Sequence, residues 1–166
     1  MDKIIIKNQR LKWLFGGLGF HNSEATMVAL MNDEFKNERV FKSFREISPT
    51  FTRVYAGYAD WPREAMDAFA DYYDKTFRDA KTLLYIVPSR MPMIDEKFDI
   101  SEYCEKVAAN LDYLINVRKC TKIRYYCATN ELSCGNTYAY FSKHLDLFKE
   151  IQTELYHAFK RHGLDV

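Results

Sequence analysis

Four times in succession, this chain follows a short apolar run with a longer segment whose apolar residues recur every three or four positions. The runs are Trp13–Phe20 (WLFGGLGF), Phe51–Tyr58 (FTRVYAGY), Thr82–Val87 (TLLYIV) and Lys122–Thr129 (KIRYYCAT). Runs of this length, rich in β-branched and aromatic residues, suit a buried or half-buried strand. Alternation of strand and helix calls for a parallel sheet with right-handed crossovers. One α/β domain spanning residues 1–166 is therefore expected, with no linker or low-complexity segment.

The helical stretches carry their own punctuation. Glu24–Met31 and Glu34–Ile47 read as helical, the second with Phe35, Val40, Phe41, Phe44 and Ile47 able to share a face. Ser48-Pro49 ends it, because proline pushes the preceding residue out of the helical region. Asp60-Trp61-Pro62 opens the next helix with a capping Asp and a proline in its first turn, and Met66, Phe69, Ala70, Tyr73 and Phe77 form its stripe. Ser101–Lys119 carries Tyr103, Val107, Leu111, Leu114 and Ile115. The last helix carries Leu145, Phe148, Ile151, Leu155 and Phe159, and stops at Gly163. TLLYIV runs without alternation, as a strand covered on both faces does.

Composition narrows the partners. Lys+Arg 24 against Asp+Glu 23 leaves no concentrated charge for nucleic acid or anionic lipid. No run approaches the ~20 apolar residues of a membrane span, and MDKIIIKNQRLKW does not read as a signal peptide. Cys104, Cys120, Cys127 and Cys134 lack the CxxC spacing of a zinc or redox site and read as buried thiols. His144, His157 and His162 form no metal-ligand pattern with the acidic residues, so neither a metal nor a cofactor is expected. A cytoplasmic protein follows, although a secreted chain with its leader removed would read the same way.

The segment Lys122–Glu131, KIRYYCATNE, ends the fourth run in Asn130-Glu131. A carboxylate at the exit of a strand lies where parallel α/β proteins keep their chemistry. From position alone, Glu131 serves equally well as an exposed charge at the start of the next helix.

WLFGGLGFHNS, FTRVYAGYADW and the strand ending YCATNE together resemble the first half of a clan A glycoside hydrolase, with a family 39-like flavour. The resemblance implies a parallel (β/α)4 half of a TIM (β/α)8 barrel. It implies that Glu131 is the general acid/base and that Asn130, beside it, binds a sugar hydroxyl. Retention of configuration would follow, since such enzymes set two carboxyl groups about 5–5.5 Å apart, one a proton donor and one a nucleophile. The nucleophile belongs to a seventh strand that these 166 residues do not contain. Asp60, Asp95 and Glu96 are the acidic residues in the upper loops that could stand in for it. Taken alone the chain should be nearly inactive.

Further binding residues are expected at the same lip. Arg53 and Tyr55 lie in the second strand, Arg53 able to brace a carboxylate or to form an ordinary surface ion pair. His21 and Asn22 follow the first run and could hydrogen-bond a sugar, or act as structural donors. Trp61 suits a stacking platform or a place beneath the following helix. The implied partners are a carbohydrate substrate and, because a four-strand half barrel exposes two sheet edges, a second copy or a C-terminal half. A non-catalytic carbohydrate-binding or self-assembling protein is the alternative function. A flavodoxin-like sheet is the alternative fold, weakened by the absence of GxGxxG after the first strand.

Overall fold

The computed structural model describes residues 19–22, 34–57, 59–88, 94–95, 97–129 and 143–166. Within them the order is β1 (Gly19–Asn22), α1 (Glu34–Ile47), β2 (Phe51–Tyr55), α2 (Arg63–Thr76), β3 (Leu83–Val87) and α3 (Ile100–Asp112). A π-helical turn (Tyr113–Val117), β4 (Ile123–Tyr126) and α4 (Leu145–Arg161) complete it. The strands form one parallel sheet in the order β1-β2-β3-β4. A flavodoxin-like sheet would carry its first strand inside, next to the third. Here β1 touches only β2 among the described strands, so that alternative is set aside.

Alternation along the strands divides the sheet into two faces. Thr52, Val54, Leu84, Ile86 and Ile123 are buried on one of them. Val54, Leu84, Ile86 and Ile123 join a single apolar cluster with Phe41 and Phe44 of α1, Phe69 and Tyr73 of α2, Val107 and Leu111 of α3, and Ile151 and Leu155 of α4. All four helices thus cover the same face, as sequential right-handed crossovers require. Burying each such Val, Leu or Ile contributes about 1.5–3 kcal/mol. Phe44 and Phe77 meet edge-on at 5.3 Å, tying α1 to the end of α2.

Helix ends follow local chemistry in most places. Ser48 ends α1 in a left-handed conformation (φ 47) and donates its N–H to Phe44 O at 2.9 Å. Asp99 caps α3 by accepting from Glu102 N–H at 2.9 Å. Leu164 N–H closes α4 onto Phe159 O at 2.8 Å around Gly163, the hydrogen-bond pattern of a Schellman cap.

Several sequence expectations are corrected. The first strand holds His21 and Asn22 instead of ending before them, while residues 13–18 and the helix expected over 24–31 lie outside the described residues. β2 ends at Tyr55, because Gly57 takes a left-handed conformation (φ 80) that no strand continues. Pro62, not Asp60, occupies the cap position of α2, with no side-chain cap. β3 is not covered evenly on both faces, since Leu83 and Tyr85 are only half-buried. The third helix changes to π geometry after Asp112, β4 is limited to Ile123–Tyr126, and Cys127 follows it, half-buried. Ile47 and Leu145, expected on apolar stripes, are exposed, the first as the last residue of α1 and the second as the first residue of α4.

Candidate functional site at the lip and second face of the sheet

The face away from the helices is polar-aromatic. Strand register aligns His21 with Arg53, Arg53 with Tyr85, and Tyr85 with Tyr125, one row across all four strands. A register shift between Leu84 and Tyr85 skips Arg124 and brings Tyr125, not its neighbour, opposite Tyr85. Bulges of this kind re-aim side chains. Tyr125 is 52% exposed and Phe51 42% exposed. Arg53, Tyr55 and Tyr85 are half-buried between them.

The Arg53 guanidinium stands 5.1 Å from the centre of the Tyr55 ring, within the range of a cation–π contact. Burial pushes the Tyr85 hydroxyl up to about 12, and a hydrogen bond with Cys127 adds to the rise, while Arg53 draws it down. Tyr85 is therefore a neutral hydrogen-bonding group at physiological pH. Cys127 N–H continues the ladder to Ile86 O at 2.9 Å, and its thiol donates to Thr129 O at 3.0 Å. Tyr126 points to the helix side, meets Phe159 edge-on at 5.5 Å and donates its hydroxyl to Gly57 O at 3.3 Å. Desolvation drives its hydroxyl well above the ordinary tyrosine value.

Beyond β4 the chain runs through Ala128 and Thr129, both buried. Thr129 Oγ1 finds no hydrogen-bond partner among the described residues. Asn130 and Glu131 follow directly in the chain and lie outside the described residues, as does Glu96. His21 and Asn22 stand in β1 at the levels of Arg53 and Val54.

Trp61 takes the packed role. It is 9% exposed and meets Phe69 at 5.5 Å in an edge-on arrangement, so its ring is not an open platform. Asp60 and Asp95, from the connections after β2 and β3, line one cleft of about 200 Å³ with Phe98, Glu102, Tyr103 and Lys106. Lys106 Nζ reaches Glu102 at 2.9 Å and Asp60 at 3.6 Å. Those two carboxylates, Glu102 foremost, raise the Lys106 pKa.

The sequence reading missed Tyr85, Tyr125, Cys127 and Lys106 as members of these sites. A hint for Tyr85 existed in TLLYIV, where one ring with a polar end interrupts an aliphatic run. For Tyr125 none existed, because its facing depends on the bulge. Among the described residues no three His, Cys, Asp or Glu side chains gather as a metal site, and no helix is long and apolar enough to cross a membrane. The chain matches no protein-family model, no curated protein and no solved structure.

Proposed function

We propose that this chain is a carbohydrate-active (β/α)4 half barrel of the clan A glycoside hydrolase type, with Glu131 as general acid/base and Asn130 as its sugar-binding neighbour. The observation that supports it best is the strand order. Four parallel strands in chain order have all their C-terminal ends along one edge, where βα-barrel enzymes hold their chemistry. Glu131 comes two residues after Thr129 in the chain, past the end of β4. The row Arg53–Tyr85–Tyr125 supplies the polar and aromatic groups that a sugar ring uses.

A lone carboxyl transfers a proton but cannot also attack the anomeric carbon, so turnover needs a second one. It comes from a C-terminal half or from a second copy meeting the edges of β1 and β4 that no described strand covers. Once that carboxylate is supplied, Glu131→Ala is expected to lower turnover of glycosides with poor leaving groups by roughly 10²–10⁴-fold. Activated aryl glycosides, which depart without protonation, should lose far less. Equal losses on both would remove the acid role. Sedimentation at high concentration tests pairing, and a stable monomer would exclude the second-copy form. The proposed compartment is the cytoplasm.

The exposed rings of Tyr125 and Phe51 on that face also favour a non-catalytic reading, in which the protein binds carbohydrate without cleaving it. Calorimetry separates the two. Unchanged affinity in Glu131→Gln, with no hydrolysis by either form, selects binding alone.

A further inference from the structure

We draw no further inference here: the strongest candidate, the polar-aromatic face of the sheet away from the helices, with Arg53, Tyr85 and Tyr125 in one row, belongs to the site already described, and nothing among the described residues shows what covers it.

Discussion

Gly19 and Phe51 stand opposite each other in the register of β1 and β2, and the Phe51 ring lies where a side chain at Gly19 would be. A Cβ built on Gly19 would come within 2.5 Å of the ring's Cζ. The edge strand thus contributes bare backbone at this level, and the phenyl ring of its neighbour covers it. Gly19→Ala should cost about 1–3 kcal/mol, the usual penalty of overpacking, near the low end because the ring is partly exposed and can turn. With Phe51→Ala already present, the same change should become neutral or stabilising, since alanine suits a strand better than glycine by about 0.5–1 kcal/mol. Urea unfolding of the four proteins measures this. An equal cost in both backgrounds would deny the contact.

Gly57 answers a different demand. Its φ of 80 is left-handed, and an added Cβ would lie 2.9 Å from Ile86 Cγ2. Gly57→Ala should therefore destabilise by more than the ~1–2 kcal/mol of left-handed strain alone. Lys119 adopts φ 61 with a side chain present, so Lys119→Gly should move stability the opposite way, by up to about 1 kcal/mol. Thermal unfolding of both variants distinguishes the two positions. A stabilised Gly57→Ala would contradict the geometry.

Thr52 and Thr82 share a hydrogen bond of 2.9 Å inside the helix-covered face. Thr82 Oγ1 also lies 3.3 Å from Leu83 O. Thr52→Val should cost about 1 kcal/mol, the net worth of a buried hydrogen bond. The double change Thr52→Val with Thr82→Val should cost less than the sum of the singles, because each single change strands the partner hydroxyl without this bond and the double change strands none. Additive losses in denaturant melts would mean that the two hydroxyls do not act as a pair.

Asp67 of α2 accepts from the Tyr113 hydroxyl and pairs with Arg118, which also reaches Asp71 at 2.8 Å. The Tyr113 hydroxyl first, and then Arg118, hold the Asp67 carboxyl below its ordinary value. A carboxyl with a depressed pKa in the folded state stabilises the protein fully above its unfolded pKa, about 3.9. That contribution is lost as pH falls through the lower folded value. The stability gap between wild type and Asp67→Asn should thus be constant from pH 5 to 7 and shrink in stronger acid. Glu105, lowered by Arg161 and then His162, should follow the same trend. A gap that widens on acidification would reverse the assignment.

Helix positions were legible in the sequence wherever the signal was local. Glu34–Ile47 was read to the residue. The stripe Met66, Phe69, Ala70, Tyr73 and Phe77 is buried throughout, and Gly163 ends α4 as expected. Each depends on neighbours within a turn or two. Asp60 shows the limit of such reasoning: its capping pattern was sound, but proline at 62 took the cap, and Lys106 on another helix drew the carboxylate instead.

The sequence by itself determined the α/β alternation, the parallel sheet and the apolar faces of the helices, because periodicity of 3.6 or 2 is written along the chain. Only the tertiary structure decided that the strands lie in chain order, that Trp61 packs against Phe69, and that Arg53, Tyr85 and Tyr125 share one row. Strand register and the β4 bulge settle those matters. They arise from backbone hydrogen bonds between segments far apart in the chain, where a shift of one residue turns every side chain to the opposite face.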